Sequence, residues 1–83
     1  MLEMTDEAIN FCMKRKEWKR NPGSVEKLYL SNQGFLEISN LERFRGVKQL
    51  FLNRNSITRI ANLEALGQLR ELYLANNKIG ESD

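Results

Sequence analysis

The sequence predicts a right-handed α/β solenoid, in which a capping helix precedes a short stack of repeats with a parallel concave sheet of about three strands. Three stretches carry this prediction, because residues 28–35, 50–57 and 72–79 share the spacing of their apolar residues and lie 22 residues apart. A period of this length is typical of a solenoid, in which each unit packs on its neighbours. We therefore expect a capping helix and linker in residues 1–23 and about 2.5 to 3 repeats in residues 24–83.

The composition favours one small intracellular domain. The chain has 83 residues, 41% of them hydrophobic, and a net charge of +2, which does not require a polyanionic partner. Cys12 is the only cysteine, so no internal disulfide can form, as is usual in the cytoplasm. Acidic residues near the amino terminus and the absence of a long apolar run argue against a signal peptide and a membrane span. We expect a cytoplasmic protein without membrane contact.

A helix is predicted over residues 5–20 as the cap of the first repeat. Thr5 can accept hydrogen bonds from the first-turn amides, and acidic residues follow it at the positive end of the helix dipole. Met4 and Ile9 have the spacing of a hydrophobic staple across that cap. Residues 21–24, with Pro22, are expected to end the helix. The predicted packing face holds Ala8, Phe11, Cys12 and Trp18.

Within each repeat, the pattern Leu-x-Leu predicts a short strand whose leucines point inward and whose central residue points to the opposite face. Asn55 and Asn77 follow their strands, where an inward amide can bond buried backbone groups. Gln33 replaces this asparagine in the first repeat, which is expected to turn differently. Apolar residues then recur at every third position, which suits a convex side of 3₁₀ or irregular helical turns. Ile57, Ile60, Leu63 and Leu66 have this spacing.

These features resemble the leucine-rich repeat pattern over residues 25–79, and the 22-residue period resembles the SDS22-like class. The resemblance implies a leucine-rich repeat solenoid that binds proteins without catalysis. The early helix, residues 28–30, Gly34-Phe35 and residues 40–42 are similar to the start of ciliary and flagellar members, above all the dynein axonemal assembly factors. That similarity implies a role in cilium, flagellum or cytoskeleton. Other members of the class regulate a protein phosphatase or bind a spliceosomal protein, and both stay open as alternatives.

Catalysis is not indicated by the sequence. The chain has no histidine, which removes the commonest general base near neutral pH and the Cys-His and Ser-His pairs. Cys12 is interpreted as a small buried hydrophobe of the helix. No carboxylates or thiols have the spacing of a zinc or calcium site, and no glycine-rich phosphate loop is present. We expect neither an enzyme nor a bound metal or cofactor.

The outward strand positions are the candidate binding site. Strands about 4.8 Å apart would place aromatic residues in a row across the concave sheet, and aromatic residues are enriched among binding hot spots. The predicted anchors are Tyr29, Phe51 and Tyr73, with Gln49, Asn53 and Glu71 giving polar selection. The alternative is that the aromatic residues only stabilise the sheet through cross-strand pairs.

A basic run around Lys14, Arg15 and Lys19 offers a different class of function. It could contact RNA in a ribonucleoprotein, although a solvated helix face explains it as well and nucleic acid is not the favoured partner.

The last repeat is incomplete, because only four residues follow Ile79. Leu72, Leu74 and Ile79 would then lie at an uncapped end, where an exposed apolar row favours contact with another chain. We expect either a fragment of a longer repeat protein or a structural module that self-associates through this end.

Overall fold

A computed structural model describes residues 3–13 and 21–80, in which three parallel strands follow one short helix. The elements are α1 (Asp6–Cys12), a 3₁₀ helix (Pro22–Ser24), β1 (Lys27–Tyr29), β2 (Gln49–Phe51) and β3 (Glu71–Tyr73). The strands form one sheet in the order β1-β2-β3, and equivalent residues of successive repeats lie opposite each other. The predicted sheet of three parallel strands is thus confirmed.

Helix α1 begins as predicted but is shorter. Thr5 is its N-cap, and the Oγ1 atom of Thr5 accepts a hydrogen bond from the Ala8 amide at 3.1 Å. The prediction of a helix over residues 5–20 is wrong at its carboxyl side, because Met13 is extended, with φ −100° and ψ 105°. Residues 14–20, which include the predicted Trp18 contact, lie outside the described residues.

The side chains of α1 explain why packing supports so little helix. Ile9 is completely buried, whereas Phe11, which was expected on the packing face, is 80% exposed. A helix of this length depends on tertiary packing because isolated short helices are marginal in water. One buried side chain, with partial burial of Ala8 and Cys12, anchors about two turns.

The core runs through the repeats and continues into the segment before them. Leu28 and Leu50, at the centres of β1 and β2, are completely buried, as the Leu-x-Leu pattern predicts. Met4 and Ile9 belong to the same hydrophobic cluster, so the amino-terminal segment packs on the first repeat. Leu72, the equivalent residue of β3, is only partly buried.

Asn55 and Asn77 join each repeat to the one before it. The Oδ1 atom of Asn55 accepts hydrogen bonds from the amides of Gln33 and Phe35, each at 3.1 Å. The Nδ2 atom of Asn55 donates to the carbonyl oxygens of Leu30 at 3.0 Å and Leu52 at 2.9 Å. Asn77 repeats the pattern one unit later, with bonds to the amide of Ile57 and the carbonyls of Leu52 and Leu74. The predicted inward amides are confirmed.

The first repeat does turn differently at Gln33. The side chain of Gln33 donates only locally, to the Ser31 carbonyl at 3.0 Å. Unlike Asn55 and Asn77, Gln33 makes no side-chain bond to a preceding segment among the described residues. Its own amide donates to Asn55 of the next repeat, as the Ile57 amide donates to Asn77.

A second pair of asparagines, Asn40 and Asn62, makes similar bonds on the convex side. Both adopt left-handed backbone conformations, with φ of 60° and 63°, which asparagine tolerates better than most residues. The Nδ2 atom of Asn62 donates to the Ile38 carbonyl of the preceding repeat at 2.8 Å, and that of Asn40 donates to the Met4 carbonyl at 2.8 Å. The Met4 carbonyl therefore accepts from Asn40 the same kind of bond that the Ile38 carbonyl accepts from Asn62.

The convex side consists of single turns. Amides bond three residues back in both complete repeats, as from Phe44 to Leu41 at 3.0 Å and from Leu66 to Leu63 at 3.0 Å. Ile38 and Ile60 are equivalent in the repeat pattern, but Ile38 is buried and Ile60 is 55% exposed. The structure places no repeat on the far side of Ile60 in the described chain. Within residues 3–13 and 21–80, no helix has the length and apolar character needed to cross a membrane.

Candidate functional site

The outward face of β1, β2 and β3 is the surface that the repeat pattern predicts to be concave, and we call it the concave surface. The central leucine of each strand points inward, so the residues on either side of it point outward. The parallel register places Tyr29 opposite Phe51 and Phe51 opposite Tyr73. Lys27, Gln49 and Glu71 are aligned in the same way, one position before the leucines.

Tyr29, Phe51 and Tyr73 form what we call the aromatic row. The ring centroids of Tyr29 and Phe51 lie 4.6 Å apart with an interplanar angle of 11°, and those of Phe51 and Tyr73 lie 4.7 Å apart at 3°. Tyr29 is 59% exposed, and the other two residues are half-buried. Both faces of Phe51 are covered by its neighbours. Among the described residues, the ring faces without an aromatic neighbour are therefore at the two ends of the row.

Lys27, Gln49 and Glu71 form what we call the polar row. The Nε2 atom of Gln49 donates a hydrogen bond to Oε1 of Glu71 at 2.8 Å, and the hydroxyl of Tyr73 donates to Oε2 of the same carboxylate. The bond from Gln49 joins β2 to β3, and the bond from Tyr73 joins the aromatic row to the polar row. Together they fix the position of the exposed Glu71 carboxylate on the sheet.

The same contacts determine the charges of the site. The hydrogen bonds from Tyr73 and Gln49 lower the pKa of Glu71, and the positive charge of Lys27 adds a smaller effect. The hydrogen bond to Glu71 raises the pKa of Tyr73. At neutral pH the site therefore carries an ionised carboxylate beside a neutral phenol.

Asn53 is placed differently from the other predicted site residues. It lies beyond the aromatic row, and its Oδ1 atom is buried without a hydrogen-bond donor among the described residues. That oxygen is not offered to a partner in this conformation. The prediction that Asn53 gives polar selection is therefore left without a contact that supports it.

The structure brings Tyr29, Phe51, Tyr73, Gln49 and Glu71 together in one continuous surface. Lys27 also belongs to this surface, although the sequence did not single it out as a site residue. The repeat pattern could have identified Lys27, because Lys27 precedes Leu28 just as Gln49 precedes Leu50. The predicted basic patch of Lys14, Arg15 and Lys19 lies outside the described residues.

Other chemistry has little support in the described part of the chain. Burial raises the pKa of the Cys12 thiol, which disfavours the reactive thiolate at neutral pH. Within residues 3–13 and 21–80, no three histidine, cysteine or acidic side chains are grouped to hold a metal ion.

Residues 45–83 match the family model described as Leucine Rich repeats (2 copies). Together with the small parallel sheet and the low helix content, this match supports a leucine-rich repeat protein with a solenoid fold. The match leaves out the first strand, whose turn has Gln33 in place of the asparagine. Leucine-rich repeats generally mediate protein–protein interaction and are typically not enzymes. Comparisons with curated proteins and with solved structures gave no match.

Proposed function

We propose that this chain is a non-enzymatic interaction domain that binds another protein through its concave surface. The aromatic row is the observation that carries the proposal, because it presents three stacked rings across the outward face of the sheet. Tyr29, Phe51 and Tyr73 act as anchors, and Gln49 and Glu71 select the polar groups of the partner.

Stacking supports this role because it orders the rings before a partner arrives. Each ring is held by a neighbour in the next strand, so binding would cost little further side-chain entropy. Rigid aromatic residues supply large contact areas and are frequent binding hot spots. Cross-strand aromatic pairs also stabilise a sheet by about 0.2–1 kcal/mol each, and this contribution is compatible with binding.

We also propose how the fold supports the concave surface. We take α1 and Met4 as the amino-terminal cap of a right-handed solenoid of the SDS22-like class. The hydrogen bonds from Ser39 and Asn40 to the Met4 carbonyl, at 3.0 and 2.8 Å, support this assignment. The resemblance of the first repeat to ciliary and flagellar proteins suggests a partner from the machinery that assembles dynein arms.

Affinity capture from a lysate of the source cells tests the proposal. The variant Y29S/F51S/Y73S should lose specific partners that the wild-type chain captures, after circular dichroism has shown that the variant is folded. Ile60→Ser is the matched control, because Ile60 is 55% exposed on the convex side. Loss in both variants, or in neither, would contradict a concave binding site.

The identity and salt dependence of captured partners discriminate the alternatives. Dynein-assembly components, a phosphatase or a spliceosomal protein would each assign the chain to a different branch of the class. Capture of RNA that falls steeply with added salt and depends on Lys14, Arg15 and Lys19 would favour the ribonucleoprotein hypothesis. Capture of the same chain alone would favour self-assembly.

A further inference from the structure

Glu71 is a fixed, exposed carboxylate without a cationic partner in the described chain. The two ion pairs of the described residues join Arg43 to Asp6 at 2.6 Å and Lys48 to Glu26 at 3.1 Å, and Glu71 takes part in neither. Its two oxygens each accept one hydrogen bond, from Gln49 and from Tyr73. A carboxylate has about four lone-pair sites, so each oxygen can accept one more donor.

Tyr73 offers an aromatic face beside this carboxylate. One face of its ring stacks on Phe51, and β3 is the last strand of the sheet, so the other face has no ring against it among the described residues. The hydroxyl of Tyr73 donates to Glu71, which increases the electron density of the ring. A more electron-rich face attracts a cation more strongly.

Going beyond the proposed function but resting on it, we infer that the protein partner inserts an arginine side chain at Glu71 and Tyr73. The guanidinium lies flat on the free face of Tyr73 and donates hydrogen bonds to the Glu71 carboxylate. The nearly parallel rings, at 11° and 3°, favour a planar group that continues the stack. Arginine is planar and presents a fork of donors that matches a carboxylate, whereas the lysine ammonium is a compact point charge.

The charge of Lys27 restricts the arginine to the β3 end of the surface. Lys27 and Glu71 lie in the same row with Gln49 between them, two strand spacings or about 9.6 Å apart. A cation beside Lys27 would be repelled, whereas an acidic group would be attracted there. The partner segment should therefore place arginine near β3 and an acidic or neutral residue near β1.

Titration with short capped peptides, followed by two-dimensional NMR of the backbone amides, tests this inference. The probes are acetyl-Gly-Arg-Gly-amide, the same peptide with citrulline and the same peptide with lysine. The arginine peptide should shift the amides of Glu71 and Tyr73 in a saturable way. Citrulline keeps the shape of arginine without its charge and should produce no saturable shifts, and the lysine peptide should bind more weakly.

Two variants and one control assign the interaction to the side chains. Glu71→Gln should weaken the arginine peptide roughly two- to fivefold, the range for exposed ion pairs. Tyr73→Leu should weaken it by a similar factor through loss of the ring face. Glu64→Gln removes an exposed carboxylate outside the three strands and should leave the affinity unchanged.

Equal shifts with all three peptides at the open edge of β3 would indicate backbone pairing and would overturn the inference. The inference would also be overturned if Glu71→Gln bound the arginine peptide as tightly as the wild-type chain. Affinity capture of the partner distinguishes failure of this inference from failure of the proposed function. If Y29S/F51S/Y73S loses the partner while Glu71→Gln retains it fully, the concave site stands and the arginine contact is rejected.

Discussion

The two ends of the repeat stack bury equivalent residues to different extents. Leu28 of β1 is completely buried, whereas Leu72 of β3 is half-buried. Ile38 is 1% exposed, whereas Ile60, one repeat later, is 55% exposed. The sequence pattern is the same in both places, and the difference lies in the neighbours. Burial in a solenoid is a property of the contact between units, because each unit covers the next.

The largest expected effect comes from shortening the equivalent strand leucines. Leu28→Ala should lower the free energy of unfolding by about 2–5 kcal/mol, because it leaves a cavity in a closed core. Leu72→Ala should cost less than half as much, since water already reaches part of that side chain. Urea denaturation followed by circular dichroism measures both values. Equal losses would show that the two ends are equally well packed.

The inward asparagines extend the same comparison to polar contacts. Asn55 is 7% exposed, and Asn55→Ala should cost at least ~2 kcal/mol, because buried amides and carbonyls lose their partners. Asn77→Ala should cost less, since Asn77 is only half-buried and water can replace part of its bonding. Hydrogen exchange gives the local readout. The Phe35 amide should exchange faster only in the first variant and the Ile57 amide only in the second.

A third comparison concerns the close approach between the backbones at Gly46 and Gly23. A Cβ atom at Gly46 would lie 2.1 Å from the Gly23 carbonyl oxygen, whereas one at Gly67 would meet nothing within 4 Å. Gly46→Ala should therefore lower the free energy of unfolding by about 1–3 kcal/mol, the usual cost of overpacking. Gly67→Ala is the control and should change it little. An unchanged free energy of unfolding in Gly46→Ala would mean that the two backbones separate easily.

The repeat period predicted most of the fold because each inward position recurs. The pairs Leu28 and Leu50, and Asn55 and Asn77, have the roles that their spacing indicates. The helix was less predictable, since its extent depends on packing. Thr5 marks its start chemically, but the exposure of Phe11 and the end before Met13 depend on tertiary contacts.

The candidate site could be predicted only in part for a similar reason. Alternation along the strands and the 22-residue period identify the outward residues, which places Tyr29, Phe51 and Tyr73 in a row. The bonds from Gln49 and Tyr73 to Glu71 depend on side-chain rotamers, which the spacing does not specify.

The smallest expected effect is the titration of Tyr73 at the open end. The bond to Glu71 raises the pKa of Tyr73 above its ordinary value near 10. The stabilisation from this bond is thus fully present below the unfolded pKa of the phenol and is lost as the pH rises through the folded pKa. In Tyr29→Phe protein, Tyr73 is the one remaining tyrosine, so ultraviolet absorbance reports its phenolate alone.

Adding Glu71→Gln to the Tyr29→Phe protein should lower the pKa of Tyr73, because the charged acceptor is gone. Adding Glu64→Gln instead should leave it unchanged. An unaltered pKa in the Glu71→Gln protein would mean that the bond does not persist in solution. In that case the side chains of β3 would lack the order that burial gives to those at the β1 end. The aromatic face beside Glu71 would then not be fixed for an incoming cation.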